Sequence, residues 1–448
     1  MTLFREAPAP APVADASTAP EPAASFATRQ VHAGTDSIAA LPRALPIHLT
    51  AGFRFEDFDD ATSHFGEGEG FAYTRVGNPT IDAVERKLAS LEGGAEALLV
   101  ASGQAAVTVT LLGLVSAGGH IVAANHIYEG TRGLLLDNLT RLGIESDFVD
   151  DVTDPAAWEA LIRPTTRVLF AESISNARND ILDVAAIAAV AHRHGIPLVV
   201  DNTLATPYLL RPLEHGADVV VHSASKFLAG QGSVLGGVII DSGRFDSATG
   251  ALFPHLVAPG HLGGPSIAER RGGRARIAYL RESVAPRFGP TISPLNAFLI
   301  GQGIETLSLR LERQSHNALR VAQWLETQAG VASVDYVGLD SHPHHGLGQR
   351  YLPDGSGAVF TFTLRGGAPA ARRVVESVRV FTHMTHLGDV RSLILHPSST
   401  SHVLRTAAEQ IEVGIHPGTL RVSIGIEGAD DLIGDLAQAL DAAAAVTG

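Results

Sequence analysis

The chain has no cysteine among its 448 residues and very few methionines, tryptophans and lysines, two of each. Without cysteine there is no disulfide, no thiolate nucleophile and no cysteine-ligated metal. No apolar run approaches the ~18 residues that a bilayer-spanning helix needs. No secretory leader is expected, because Met1 to Ser25 offers no apolar h-region: it is rich in Ala and Pro, carries acids and reads as a disordered tail. With a net charge of −14, nucleic acid and anionic membrane surfaces are poor partners. A cytoplasmic globular enzyme of two or three domains is the expectation that survives these exclusions.

Lysine scarcity makes the remaining two informative. Of 33 basic residues only Lys87 and Lys226 are lysines, leaving 33 − 2 = 31 arginines. Arginine stays protonated, whereas a lysine amine can lose its proton and form a Schiff base with an aldehyde. Lys226 stands in His222-Ser223-Ala224-Ser225-Lys226-Phe227, after the apolar stretch Asp218-Val219-Val220-Val221 and before Gly230 and Gly232. That pattern predicts a buried strand ending in a loop, where open α/β sheets place their chemistry. Lys87 lies in a segment with helical periodicity, Thr80–Leu88, and reads as a solvated surface charge. The twenty histidines include His342-Pro343-His344-His345, but proline breaks the spacing and no acidic triad accompanies it, so no metal site is expected. The run Arg270-Arg271-Gly272-Gly273-Arg274 is expected to be a mobile loop or a subunit contact.

From residue 80 the pattern alternates between helix and strand. Thr80 is placed to cap a helix that runs to Leu91 and stops at Gly93-Gly94. Strands are predicted at Ala97–Ala101, His120–Ala124, Glu145–Val149, Arg167–Phe170, Pro197–Val200, Asp218–Val221 and Val234–Ile240. Helices between most of them imply right-handed crossovers and a largely parallel sheet. Three polar clusters then fall at strand carboxyl ends: Ser102-Gly103-Gln104, Asp201-Asn202-Thr203 and Ser223-Ala224-Ser225-Lys226. A stretch rich in Gly, Arg and Pro, residues 258–290, precedes a second domain with a helix at Glu305–Gln328, strands at Ala358–Leu364, Leu393–His396 and Thr419–Ile424, and a final helix. In that last strand Leu420, Val422 and Ile424 alternate with Arg421 and Ser423, so Arg421 projects away from the core, as an edge charge or a site residue.

An amine, a strand-end carboxylate and a small-residue cradle fit pyridoxal 5′-phosphate. The aldehyde needs the lysine, and the pyridine nitrogen needs an anion to hold its proton. The phosphate needs backbone N–H groups at a helix start, which Ser102-Gly103-Gln104 would supply.

On Tyr73-Thr74-Arg75 with Asn78-Pro79-Thr80, Ser102-Gly103-Gln104-Ala105-Ala106, Asp201-Asn202-Thr203 with Ala205-Thr206-Pro207, and the Lys226 segment, the sequence resembles the Cys/Met-metabolism pyridoxal-phosphate enzymes from His32 to the C-terminus. Gly303–Arg310, Gly388-Asp389 before Ser392-Leu393, and His396-Pro397-Ser398-Ser399-Thr400 lean towards the O-acetylhomoserine sulfhydrylase branch. The resemblance implies an α/β protein with the aspartate aminotransferase-like fold of PLP-dependent transferases: a mostly parallel sheet and a smaller C-terminal α+β domain. It also implies a tail at 1–30, an arm at 31–79 reaching a neighbouring subunit, a cofactor-binding domain at 80–290 and a second domain at 291–448. Lys226 would hold the cofactor and shuttle protons, and Asp201 would pair with the pyridinium nitrogen. Ser102, Gly103, Gln104, Thr203, Ser223 and Ser225 would line the cofactor and its phosphate, with Tyr73 and Arg75 reaching the phosphate of the neighbouring subunit in a homotetramer. Tyr128 would stack on the ring, Asn176 would touch its 3′-oxygen, and Arg421 with Ser392 would take the substrate carboxylate. The implied reaction is γ-replacement on an O-acylhomoserine by sulfide or a thiol.

Four departures from the family pattern bear on substrate choice. Tyr128-Glu129-Gly130-Thr131-Arg132 replaces Tyr-Gly-Gly-Thr, placing a charge beside the ring. Gln231 stands where sulfhydrylases often have histidine, and Ala177 replaces a proline. The stretch Gly66-Glu67-Gly68-Glu69-Gly70 is shorter than the sulfhydrylase insertion. Methionine γ-lyase is disfavoured because its active-site cysteine has no counterpart. Cystathionine γ-synthase or γ-lyase chemistry, a specialised γ-substitution, and a catalytically idle binding subunit stand as alternatives.

Overall fold

A computed structural model describes residues 24–34, 43–66, 70–176, 178–245, 252–260 and 263–447. The tail up to residue 23, Glu67–Glu69 and Ala177 therefore lie outside the described residues. Where the tail was expected to run to residue 30, Phe26–His32 instead form a helix capped by Ser25, and Gln30 is buried with its amide on the Ser308 hydroxyl at 3.0 Å.

All seven strands expected in the first half form. They are β1 (Glu96–Val100), β2 (His120–Ala124), β3 (Glu145–Val149), β4 (Thr166–Glu172), β5 (Leu198–Asp201), β6 (Val219–Ser223) and β7 (Gly237–Asp241), ordered β1-β7-β6-β5-β4-β2-β3. β2 through β6 pair in parallel, and β7 runs antiparallel to both β1 and β6. The reversal follows from residues 224–236, which hold no crossover helix to return the chain in the same direction. The carboxyl ends of β1, β2, β4, β5 and β6 consequently share one edge. Near-continuous Val and Leu in β5 and β6 suit strands covered on both faces.

The helix Pro79–Glu92 shows how local chemistry places its ends. Asn78, rather than the expected Thr80, is the cap: its side chain accepts from the Thr80 N–H at 2.9 Å, while the Thr80 hydroxyl donates to Pro46 O at 2.7 Å. Pro79 needs no N–H partner in the first turn, and Gly93 closes the helix at φ 78°. Lys87 on this helix is not surface charge. It is only 4 % exposed, with Nζ 3.6 Å from Glu305, because that face packs on helix Pro294–Ile304 and the turn after it.

Residues 263–290 form a helical cover on the first sheet. Buried Arg276 forms a two-point ion pair with Asp241 at 2.9 and 3.0 Å, and Arg281 joins Glu85 and Glu96, each at 2.9 Å. The arginine run expected as a loop ends the helix Ile267–Arg271, and both Arg270 and Arg271 pair with Glu282. Burial pushes the Glu85 carboxyl up to about 7 against the opposing Arg281 charge.

The C-terminal sheet is β8 (Val331–Asp335), β9 (Val359–Leu364), β10 (Thr382–His383), β11 (Leu393–Leu395) and β12 (Thr419–Ser423), ordered β10-β11-β12-β9-β8. The helices Leu307–Glu326 and Gly367–Ser377 pack on it, and the final helix Ala429–Thr447 packs on both of them. β12 lies inside this sheet, antiparallel to β11 and β9, so Arg421 is no edge charge. Each histidine of the 342–345 cluster meets a backbone group: His342 with Arg178 O, His344 with Ile181 N, and His345 with Val337 O. Among the described residues no His/Asp/Glu group is placed to hold a metal ion.

Candidate active site

The strand-end clusters meet as the topology requires. Ser102 caps the helix Gly103–Leu114, its Oγ accepting from Ala105 N at 3.1 Å. The first turn of this helix presents its backbone N–H groups at Gly103 and Gln104, an anion cradle with the helix dipole behind it. Glycine is obligatory at 103: a Cβ there would stand 2.6 Å from Ser223 Cβ and 2.7 Å from its Cα. A Cβ at Gly237 would likewise meet Ser102 O at 2.0 Å. Ser225 exchanges hydrogen bonds with Gly236, donating to its O and accepting from its N, which ties the loop after β6 to the start of β7. Gly103→Ala should push the helix start off Ser223 and weaken binding of pyridoxal 5′-phosphate by about 5- to 150-fold, since overpacking costs about 1–3 kcal/mol. Spectrophotometric titration of the cofactor-free chain reads this out, and unchanged affinity would refute the cradle.

Asp201 ends β5 half-buried at the open edge, its Oδ1 taking the Thr203 N–H at 3.0 Å and the Thr203 hydroxyl. Thr203 Oγ1 in turn accepts from Ser223 N at 2.9 Å, so one hydroxyl links the carboxylate to the cradle. In register with Asp201 on β4 is Glu172, a residue the sequence reading missed. Its oxygens accept from Tyr128 N at 2.6 Å and Asn176 N at 3.0 Å, fixing the backbone of two residues expected to touch the cofactor. Burial and the Asp201 charge push Glu172 up to about 8, and burial pushes Asp201 up too. Two adjacent buried acids with this little positive charge are satisfied by a cation between the strands and the open edge, and a protonated pyridine nitrogen fits that demand. Behind them, fully buried Glu92 holds His222 at 2.9 Å and Asn202 at 3.3 Å, bracing the ends of β5 and β6.

Lys226 sits in the loop after β6, half-buried, and its ammonium is pushed down to about 8, first by burial and then by Arg421. Nζ lies 3.2 Å from Nδ1 of His386, which comes from the C-terminal domain and had no signal in the sequence patterns. Arg421 is 6 % exposed and reaches across the domains: Nη1 lies 3.4 Å from Asn176 Oδ1, and Nη2 donates to Thr385 O at 3.0 Å. Burial lowers Arg421 to about 10, which leaves it charged at neutral pH. Ser392, expected beside Arg421, is instead fully buried, donating to Glu427 Oε2 and accepting from Gly425 N, each at 2.9 Å. Its hydroxyl is consumed in bracing the turn after β12 because β11 points it inward.

Tyr128, 53 % exposed, follows β2 at the open edge. The neighbouring Glu129 is not a free charge. Arg405 donates to its Oε1 through Nε at 2.9 Å and Nη2 at 2.6 Å, and His402 Nε2 lies 3.6 Å away. The pair joins the helix after Tyr128 to the loop following Pro397–Ser399 in the other domain. Gln231 gives its carbonyl to Arg391 at 2.9 Å. Tyr73 and Arg75 lie on the N-terminal arm, Arg75 5.5 Å over the Tyr73 ring with Nη1 on Pro286 O at 2.7 Å, and Tyr73 is largely exposed.

Comparison with known proteins agrees with this geometry. The family model described as Cys/Met metabolism PLP-dependent enzyme matches residues 27–441. The chain is 41% identical over 426 residues to an O-acetyl-L-homoserine sulfhydrylase of Corynebacterium glutamicum, covering 92% of this chain and 95% of the relative. It is 41% identical over 424 residues to a homocysteine synthase of Schizosaccharomyces pombe, covering 93% and 98%. A crystal structure described as an O-acetylhomoserine (thiol)-lyase from Campylobacter jejuni, which contains N′-pyridoxyl-lysine-5′-monophosphate, superposes with a TM-score of 0.89 at 34% identity, covering 93% and 99%.

Proposed function

Because the chain belongs to the Cys/Met-metabolism PLP-dependent enzymes, we propose that it exchanges the γ-substituent of an O-acylhomoserine for sulfur. In the favoured form, O-acetyl-L-homoserine and hydrogen sulfide give homocysteine and acetate; a simple thiol in place of sulfide would give methionine or a related thioether. The observation that carries this reading is the convergence of Lys226, Asp201 and Arg421 on one open sheet edge, in a chain whose relatives bear sulfhydrylase and homocysteine synthase names.

Pyridoxal 5′-phosphate, when bound, supplies the electron sink that lets protons leave the substrate α and β carbons. Every other task falls to side chains of this chain. Lys226 would hold the ring through Nζ and would carry protons at the substrate Cα and Cβ; an amine brought near neutrality suits both directions of transfer. Asp201 keeps the ring nitrogen protonated. The Gly103 and Gln104 N–H groups, with Ser223, take the phosphate. Arg421 clamps the substrate α-carboxylate, and Asn176, held by Glu172 and Arg421, orients the ring. Tyr128 covers the ring face and excludes water. Exposed Tyr73 and Arg75 would serve a second copy of the chain, making a homo-oligomer, a tetramer of two dimers, with arm residues 31–79 at the contact. A cytoplasmic address suits this amino-acid chemistry, and no helix among the described residues is long and apolar enough to cross a membrane.

The Glu129–Arg405 pair supports one second reading, γ-substitution with a larger or more specialised nucleophile, because it sets a charged pair directly after Tyr128. A single assay separates the cases. The cofactor-loaded protein is mixed with O-acetyl-L-homoserine with and without sulfide, and products are identified by mass spectrometry. Homocysteine formed only with sulfide is the expected result. Release of 2-oxobutanoate without sulfide would make the protein a γ-lyase, and no turnover of this donor would overturn the donor assignment.

A further inference from the structure

The segment that carries His386 is built against the Lys226 loop, not merely near it. Gly388, at φ 77°, approaches so closely that a Cβ would stand 2.6 Å from the amide nitrogen of Phe227, the residue after the lysine. Its N–H donates to the Ser423 hydroxyl at 2.9 Å. Val390 N–H donates to Gly230 O at 2.9 Å, and Arg391 Nη2 to Gln231 O at 2.9 Å. Arg421 meets the carbonyl of Thr385 at 3.0 Å and that of His386 at 3.5 Å. A Cβ at Gly232 would stand 3.7 Å from Nε2 of His386, at φ 64°. The backbone on both sides of the imidazole is therefore pinned, and the ring has little freedom apart from its contact with Nζ.

We propose that His386 positions the Lys226 amine: its Nδ1 accepts a hydrogen bond from Nζ and aims that amine whenever it is not bonded to the cofactor. The assignment rests on Lys226 being the proton carrier of the proposed reaction. The groups facing the pair are Arg421, Arg391 and Asp389. Burial, Lys226, Arg421 and Arg391 lower the imidazole, Asp389 alone opposes them, and the result is a ring pressed down to about 4. A neutral imidazole can accept from an ammonium without repelling it. With Nδ1 accepting, the proton sits on Nε2, which is buried without a hydrogen-bond partner. A buried unpartnered donor costs stability, and the ring stays because the other nitrogen has a task. One amine must reach both Cα and Cβ, so a fixed acceptor on its far side removes unproductive rotamers.

Lysine scarcity makes the test direct. Full-length protein labelled at lysine Nζ and Cε, stripped of cofactor, carries only two lysine side-chain signals, Lys87 and Lys226. A hydrogen bond to Nδ1 favours the ammonium, so removing the acceptor lowers the Lys226 pKa. His386→Gln cannot place an acceptor where Nδ1 stands, whereas His386→Asn can. The Gln variant should shift the Lys226 titration down by about one unit, a tenfold change in its acid constant, with the Lys87 signal unmoved. In the loaded enzyme its kcat should fall about 10²-fold with KM for O-acetyl-L-homoserine within about threefold, the size of impaired general acid–base transfer. His386→Asn should restore both. An unshifted Lys226 titration in the Gln variant would overturn the proposal, as would Asn and Gln variants that behave alike. Since the titration is read without substrate or turnover, it stands or falls apart from the choice of reaction.

Discussion

Lys226→Ala and Lys226→Arg will each lose turnover by about 10⁴-fold, the upper range for removing a general acid–base group that also forms the covalent tether. The arginine variant is the sharper of the two. It keeps the charge and most of the side-chain volume at a position where the rest of the chain uses arginine almost without exception. What it removes is an amine able to lose its proton, and the Lys226 pocket lowers that amine to about 8 by burial and by the Arg421 charge. A guanidinium would remain protonated there, as the neighbouring Arg421 does. Loaded protein of either variant should also lack the visible absorbance of a cofactor bonded to lysine. Retention of more than about 1 % of turnover in the arginine variant would mean that a different group carries the protons.

Asp201→Asn is expected to lower kcat by about 10²- to 10³-fold while the cofactor stays bound, since the phosphate cradle and Lys226 are untouched. The carboxylate is held by Thr203 at the end of β5, and Glu172 lies in register beside it. Burial and the Asp201 charge push Glu172 up to about 8, and burial pushes Asp201 up as well, so the two acids compete for one negative charge beside the ring nitrogen. Asparagine keeps the shape and one acceptor oxygen but cannot hold a proton on the ring nitrogen, and the electron sink weakens accordingly. Normal kcat at saturating cofactor would show that Glu172, not Asp201, supplies the charge. The double variant with Glu172→Gln then decides between them.

Much of this site was legible before any coordinates. A lysine in an arginine-rich chain, set after a strand of three valines and before two glycines, marks a strand-end site with amine chemistry. Asp201 and the Ser102–Gln104 turn were found the same way, because a parallel sheet forces strand carboxyl ends onto one edge. Glu172 was within reach of the same argument: it ends β4 as Asp201 ends β5, but the predicted strand Arg167–Phe170 stopped two residues short of it.

The sequence by itself determined the strands of the first sheet, the cofactor class and the lysine that serves it, since these depend on a residue period of two and on local turn chemistry. Only the tertiary structure decided the rest. Lys87 is buried because a helix over 200 positions away packs on its face. Ser392 turns inward to Glu427 because β11 lies beside β12, and Glu129 loses its free charge to Arg405, which is 276 residues away in sequence. His386 reaches Nζ because Gly388 lets two backbones meet. Each of these depends on which surfaces become neighbours when the two sheets and their helices pack, and long-range contact of that kind leaves no local period in the chain.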